Sequence, residues 1–195
     1  LADDNFSSIV NSVEEGRIVF RNIKNTSTQL VTSNVGEHIT LITALVMNLP
    51  LPLLPIQILW MNLVTDSFNG LALSLEQSHE TALQQPPRKK NERILDKETI
   101  PFFLFVAGFM VLITIPIFIY FLQLGNIAKA MTATFVSLSM CQLFNVLNMR
   151  SMHKSIFKIG MFSNNYMILT WTLSFIGILS VIYIPPIQKI FGFSP

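Results

Sequence analysis

Two apolar stretches of this chain each carry a carboxylate and a primary amide within one or two helical turns. Asn34 and Glu37 are three positions apart, on one face of a helix. Asn62, Thr65 and Asp66 occupy positions i, i+3 and i+4, again on one face. A charge inside a membrane costs about 2.5–3.5 kcal/mol on insertion scales, so such residues are expected to have a function. Carboxylate, amide and hydroxyl oxygens suit hard cations such as Ca²⁺, and the sequence therefore predicts a cation site.

The alternative interpretation is structural, with these side chains only hydrogen-bonding the helices together. It is disfavoured because the predicted membrane spans offer no basic partner to the two carboxylates. Zinc and copper are also disfavoured, since no thiolate lies nearby and His38 is the only imidazole close to the pair. For His38 itself, a satisfied buried histidine is favoured over a proton counter-path. Ser139 and Gln142, on one stripe of a later stretch, are weaker candidate ligands, with helix packing favoured.

Five apolar stretches are long enough to cross a bilayer, which takes roughly 20 residues. They lie at about 26–49, 55–75, 100–124, 129–147 and 165–184. Prolines between the first two predict a tight helical hairpin. The composition agrees, because 51% of the 195 residues are hydrophobic and only 12% are charged. We expect an all-α transmembrane bundle of five spans in a lipid bilayer.

Poor helix formers follow Asp66 in the second stretch. Residues 67–70, Ser-Phe-Asn-Gly, predict local unwinding that exposes backbone carbonyls as further ligands. Ahead of the first stretch, residues 3–24 carry apolar residues at helical spacing, with charged residues between them. No proline interrupts the chain from there to Asn48, so one helix of about 40 residues, about 60 Å long, is expected to join a cytoplasmic stalk to the first span.

The basic residues are segregated by this topology. Of the 13 Lys and Arg residues, all except Lys129 and Lys189 fall in the N-terminal segment or in the loops after the second and fourth spans. The positive-inside rule places that side in the cytoplasm. A patch for nucleic acid is the less favoured interpretation of these charge runs, and no nucleic-acid partner is expected.

Several motifs resemble the P-type cation-transporting ATPases. Residues 1–17 are similar to the stretch that joins the phosphorylation domain of that family to its fifth membrane helix. Residues 33–37, Ser-Asn-Val-Gly-Glu, resemble the ion-binding segment of the fifth helix. Residues 59–66, Leu-Trp-Met-Asn-Leu-Val-Thr-Asp, resemble the sixth helix of the calcium-pump branch, and 86–88, Pro-Pro-Arg, the cytoplasmic loop that follows.

The resemblance implies that the five spans are helices five to nine of a ten-helix pump. Residues 1–25 are then the stalk and the end of the phosphorylation domain, 26–75 the ion-binding hairpin, 76–99 a cytoplasmic loop and 100–195 helices seven to nine. The partners of this chain are helices one to four, the tenth helix, and the actuator, nucleotide and phosphorylation domains. Because the chain opens without an initiator Met and contains neither a phosphate loop nor an Asp-Lys-Thr-Gly motif, we expect part of a longer protein. ATP and Mg²⁺ are expected to bind outside it, and it holds no catalytic residue.

The resemblance also implies a role for each candidate ligand. Asn34 and Glu37 match one calcium site and Asn62 the other, while Asp66 contributes to both and Thr65 to the first. The eighth helix of two-site pumps carries a glutamate where this chain has Ser139. We therefore expect one Ca²⁺ exported from the cytoplasm per cycle, as in plasma-membrane-type pumps. Mn²⁺ or Na⁺ as the cargo, and a stand-alone membrane module that acts as a passive cation pathway or a structural subunit, are the alternatives.

Overall fold

A computed structural model describes residues 6–77, 99–151 and 154–194, and this part of the chain is helical without a β-strand. One stretch has π-helical geometry and is here called the π segment. The elements in chain order are α1 Phe6–Val46, α2 Pro55–Met61, the π segment Asn62–Ser67, α3 Phe68–Ser74, α4 Thr99–Gln123, α5 Ile127–Asn148, α6 Ile156–Ile159, α7 Asn165–Tyr183 and α8 Pro185–Phe191.

Helix α1 confirms the prediction of one long helix. It runs unbroken for 41 residues, which is about 60 Å at 1.5 Å per residue. Its end is set by Asn48, which has a left-handed φ of 56°. The Leu49 amide donates back to the Ala44 carbonyl at 2.9 Å, and Asn is one of the few residues that adopt this cap conformation readily. The predicted stalk and the first predicted span are therefore parts of one rigid element.

The second predicted span is divided into α2, the π segment and α3. Pro55 begins α2 at a position where its missing amide hydrogen costs nothing. The π segment covers all three candidate ligands of this span. The prediction of unwinding at 67–70 was wrong by about one turn, because α3 begins at Phe68 as a regular helix. Gly70 there is buried, and a methyl group in place of its hydrogen would make only an ordinary van der Waals contact of 3.5 Å with Thr26 of α1, so packing does not require a glycine at this position.

Within the described residues, three helices are long and apolar enough to cross a membrane, namely α4, α5 and α7. They correspond to the third, fourth and fifth predicted spans. The first two predicted spans do not meet the same test, so the expected count of five is not confirmed. The reason is physical: Asn34, Glu37 and His38 lower the hydropathy of α1, and the π segment divides the second span into short pieces.

The helices pack so that α1 contacts α3, α4 and α5, and α7 contacts α3, the π segment and α5. The buried core between them is apolar and includes Met61, Met110, Phe135 and Ile178. The short helix α8 folds back over the start of α2, where the Gln57 amide donates to the Phe191 carbonyl at 2.8 Å. The predicted cytoplasmic loop 76–99 lies outside the described residues except for residues 76, 77 and 99.

Candidate cation site

Gln142 of α5 joins the two predicted ligand sets. Glu37 of α1 is buried, and its Oε1 accepts a hydrogen bond of 2.7 Å from Gln142 Nε2. Gln142 Oε1 accepts in turn from the hydroxyl of Thr65 at 2.9 Å. All three side chains are almost fully buried. The structure thus gives this residue, a weak candidate in the sequence, a central place between α1 and the π segment.

Asp66 is held by α1 rather than by α5. Gln29 Nε2 donates to Asp66 Oδ1 at 3.0 Å and also lies 3.1 Å from Ser33 Oγ. Ser33 itself is close enough to interact with the Asp66 carboxylate. Sequence reasoning missed both Gln29 and Ser33. Their signal was the spacing: residues 29, 33 and 37 recur every four positions, which places them along one face of a helix.

The remaining predicted ligands differ in their burial and in whether they contact the other candidates. Asn62 is half-buried and close enough to Glu37 to interact with its carboxylate. Asn34 is also half-buried, but its amide donates within α1 to the Leu30 carbonyl at 2.8 Å. Ser139 is fully buried, one turn before Gln142 on α5. Among the hydrogen bonds of the described residues, none joins Asn34 or Ser139 to the other candidates.

Several buried oxygens of this region accept no hydrogen bond from the part of the chain that the structure describes. A buried polar atom without a partner costs about 1–3 kcal/mol, so each such atom needs an explanation. Each carboxylate has one oxygen fixed by a glutamine amide and the other unpaired. The unpaired atoms are Glu37 Oε2, Asp66 Oδ2, Asn62 Oδ1, Gln29 Oε1 and Ser139 Oγ. Carboxylate, amide and hydroxyl oxygens of this kind fit a hard cation.

Within the part of the chain that the structure describes, the charge of the site comes from two carboxylates. Glu37 and Asp66 are close enough to repel each other when both are ionised. The described residues contain no cluster of three or more His, Cys, Asp and Glu side chains. His38 is exposed, and its Nδ1 lies 2.6 Å from the Asn34 carbonyl of its own helix, so the expectation of a buried histidine was wrong. Oxygen atoms therefore dominate the chemistry of the site.

Side chains of α7 and α3 hydrogen-bond to main-chain carbonyls of the π segment. The Ser174 hydroxyl donates to the Val64 carbonyl at 2.7 Å, and Asn69 Nδ2 donates to the Thr65 carbonyl at 2.6 Å. Asn69 and Ser174 also contact each other at 3.2 Å. At Gly177 a side-chain carbon would lie 2.8 Å from Val64 Cγ1, so only glycine allows this approach. Sequence reasoning missed Asn69 and Ser174, because no spacing rule relates residues on separate helices.

A second buried polar cluster, here called the Arg150 cluster, comprises Arg150, Glu76, Asn22, Ser163 and Asn164. Arg150 follows α5 and uses all of its five N–H groups. Nε and Nη2 bind the two oxygens of Glu76 at 3.0 and 2.7 Å, Nη2 also donates to Ser163, and Nη1 donates to the carbonyls of residues 160 and 161.

The other members of the Arg150 cluster complete the surroundings of Glu76. Asn164 Nδ2 donates to its carboxylate and Asn22 Nδ2 to its main-chain carbonyl, each at 2.7 Å. These bonds connect α1, the end of α3, the end of α5 and the start of α7 at one level of the bundle. Sequence analysis treated Arg150 only as one basic residue of a loop, whereas the structure buries it in an ion pair.

Comparison with known proteins identifies the family. The model described as "Cation transporting ATPase, C-terminus" matches residues 50–195. The relatives include "Calcium-transporting ATPase 1" of Bacillus cereus, 37% identical over 98% of this chain and 23% of the relative. "Calcium-transporting ATPase" of Bacillus subtilis is 38% identical over 98% of this chain and 22% of the relative. "Calcium-transporting ATPase type 2C member 2" of Homo sapiens is 35% identical over 98% of this chain and 20% of the relative. The chain thus spans about a fifth of the length of these relatives, and it belongs to the C-terminal family of the cation-transporting P-type ATPases.

Proposed function

We propose that this chain is the ion-translocating part of an ATP-driven pump that exports Ca²⁺ from the cytoplasm. The observation that carries the proposal is the arrangement of the two buried carboxylates, each with one oxygen held by a glutamine amide and one unpaired. The names of the relatives support calcium as the ion. ATP and Mg²⁺ act in domains of the complete pump outside this chain, as do the helices that would complete the bundle.

The proposed ligands are Asn34, Glu37, Asn62, Thr65 and Asp66, with Gln142 and Ser139 next to them. Ca²⁺ takes six to eight oxygens at about 2.3–2.6 Å. Two carboxylates neutralise its charge, and amide and hydroxyl oxygens supply further ligands. Main-chain carbonyl oxygens in the π segment are further candidate ligands, because the i to i−4 ladder is interrupted there, although those of Val64 and Thr65 also accept side-chain hydrogen bonds.

The single helix α1 suggests how ATP-driven movement reaches the ion. Its N-terminal half is the proposed stalk, and its C-terminal half carries Glu37 without a break between them. A displacement of the stalk therefore moves Glu37 relative to Asp66, which belongs to the π segment. Such rigid-element shifts are a known way to switch a site between two states. In this proposal the ion is released when the two carboxylates are moved apart.

One Ca²⁺ per cycle is the stoichiometry we propose. Ser139 offers a hydroxyl where a second site needs a carboxylate, and among the described residues two carboxylates, Glu37 and Asp66, serve the region. We further propose five membrane spans, with the hairpin 26–75 as the ion-binding unit and the N-terminus and the basic loops in the cytoplasm.

The test is cation-dependent ATP hydrolysis by the complete pump purified in detergent. Ca²⁺ is compared with Mn²⁺, Mg²⁺, Na⁺ and K⁺, each over a range of concentrations. Activation by micromolar Ca²⁺ supports the proposal. Activation by Mn²⁺ or Na⁺ but not by Ca²⁺ would overturn the choice of ion. Hydrolysis that needs no added cation would overturn coupled transport altogether.

A further inference from the structure

We propose that Gln29 is a positioning residue of the cation site, whose amide orients the Asp66 carboxylate so that Oδ2 faces the ion. This inference rests on the function proposed above. The donor of Gln29 contacts Oδ1 at 3.0 Å, and Oδ2 has no partner within the described residues. A carboxylate with one oxygen fixed in this way cannot rotate freely, so its second oxygen has a defined direction.

The placement of Gln29 in the bundle supports a specific role. Its side chain is fully buried, and fixing a glutamine costs about 1.5–2 kcal/mol of rotamer entropy. A leucine or isoleucine would pack a membrane helix at a smaller cost of about 0.5–1 kcal/mol. The same amide nitrogen contacts Ser33, which lies one turn further along α1 and holds Gln29 in position. Gln29 Nε2 is therefore fixed by its own helix and by the carboxylate of another element, whereas Oε1 has no partner within the described residues.

A comparison with Gln142 sharpens the assignment. Gln142 Nε2 donates to one oxygen of Glu37 as Gln29 Nε2 does to one oxygen of Asp66, so each carboxylate has one amide donor. The two glutamines differ in where they lie: Gln142 is on α5, whereas Gln29 shares α1 with Glu37. Gln29 lies eight residues before Glu37, about 12 Å along the helix on the stalk side. A movement of α1 thus reaches both carboxylates, directly at Glu37 and through Gln29 at Asp66.

Positioning and simple packing make different predictions for kinetics. If Gln29 only hydrogen-bonds α1 to the π segment, its loss lowers the melting temperature and leaves the calcium affinity of the folded pump unchanged. If it orients Asp66, its loss weakens calcium binding while the rate at saturating Ca²⁺ is kept, because the bound ion itself then orients the carboxylate. The positioning role and the packing role are therefore distinguished by measuring the half-activating Ca²⁺ concentration and the maximal rate separately.

The experiment uses the complete pump with Gln29→Met, which keeps the unbranched shape and removes the amide. We expect the Ca²⁺ concentration for half-maximal ATP hydrolysis to rise about tenfold, with the maximal rate within twofold of the parent. The matched control is Thr28→Val, because Thr28 is equally buried and donates only to the Lys24 carbonyl of its own helix. The control should keep the parental half-activating concentration. An unchanged concentration in folded Gln29→Met would overturn the inference.

A second variant, Gln29→Asn, decides the question if the methionine variant does not fold. It keeps the amide but shortens the side chain by one methylene, which withdraws the amide from Asp66 Oδ1. We expect the half-activating Ca²⁺ concentration to rise as in Gln29→Met, with the maximal rate within twofold of the parent. An unchanged concentration in folded Gln29→Asn would overturn positioning by donation. Glu37→Gln and Asp66→Asn are measured in parallel: if they retain calcium activation the proposed function fails, and if they lose it while Gln29→Met is normal only this inference fails.

Discussion

The cation site and the Arg150 cluster are both buried groups of polar side chains, yet they differ in how completely their hydrogen bonds are made. In the Arg150 cluster all five N–H groups of the guanidinium have acceptors, and both oxygens of Glu76 have donors. In the cation site Glu37 Oε2 and Asp66 Oδ2 have none among the described residues. The difference favours a structural role for the Arg150 cluster and supports the proposal that the other cluster receives a cation.

The physical basis is the cost of leaving polar groups unpaired in a low-dielectric interior. A network whose charged groups are all paired fixes the elements that it joins, and in the Arg150 cluster this holds although the neutral Asn22 Oδ1 has no partner within the described residues. A buried carboxylate with an unpaired oxygen is unstable without a further partner. The Arg150 cluster connects α1, α3, α5 and α7, so it is expected to determine how these helices are arranged. The cation site lies between the same α1 and α5, and its unpaired oxygens are expected to determine what the protein binds.

The largest expected effect comes from neutralising one carboxylate of the cation site. Asp66→Asn and Glu37→Gln each keep the shape of the side chain and remove a charged ligand. We expect calcium-dependent phosphorylation of the complete pump by ATP to fall at least 100-fold, because a divalent ion then has only one carboxylate. The melting temperature in calcium-free buffer should be unchanged or higher, since the repulsion between the carboxylates is removed. Normal calcium activation in both variants would contradict the site assignment.

Removing the ion pair of the Arg150 cluster is expected to lower stability and to leave the calcium affinity nearly unchanged. Glu76→Gln removes the charge that pairs with Arg150, and a buried pair that loses one partner typically costs about 3–5 kcal/mol. We expect a melting temperature several degrees lower, with a half-activating Ca²⁺ concentration within twofold of the parent for the folded fraction. The double variant Arg150→Met with Glu76→Met should be less destabilised than Glu76→Gln. A tenfold loss of calcium affinity would remove the distinction between the two clusters.

The sequence predicted the placements that depend on spacing along one helix. Glu37, Thr65 and Asp66 were singled out because rare polar residues at helical spacing share a face, and the structure buries them; their role as ion ligands stays a prediction. The long helix α1 followed from the absence of proline. The contacts of Gln142 and Gln29 were not predicted, because they join residues that are 105 and 37 positions apart in the chain.

The remaining differences have the same origin. The irregular backbone was expected after Asp66, where the residue types favour it, but the π segment begins at Asn62 and includes three of the candidate ligands. Side-chain donors from α7 and α3, Ser174 and Asn69, stabilise it there, and no local pattern indicates them. Arg150 was interpreted as a basic loop residue because topology rules count charges and do not indicate which of them are paired.

A smaller effect is expected from weakening the support of the π segment. Ser174→Ala removes the hydroxyl that donates to the Val64 carbonyl and leaves that carbonyl without this partner. We expect the half-activating Ca²⁺ concentration of the complete pump to rise about threefold to tenfold, with a loss of about 1 kcal/mol in stability. Ser180→Ala is the matched control, because its hydroxyl bonds only within α7, to the Gly177 carbonyl. Equal affinities in the two variants would mean that α7 does not position the ligands.

The smallest effect is expected at His38, although it is adjacent to Glu37 in the sequence. Successive residues of a helix point about 100° apart, and the exposed imidazole is bonded to its own helix through the Asn34 carbonyl. His38→Gln should therefore change calcium-dependent ATP hydrolysis by less than twofold at every pH between 6 and 8. If protons are exchanged for calcium through this histidine, the variant should instead lose activity with a changed pH profile. That outcome would extend the functional region beyond the buried face of α1. The presence of unpaired carboxylate oxygens in a buried cluster would then not be enough to define the functional region.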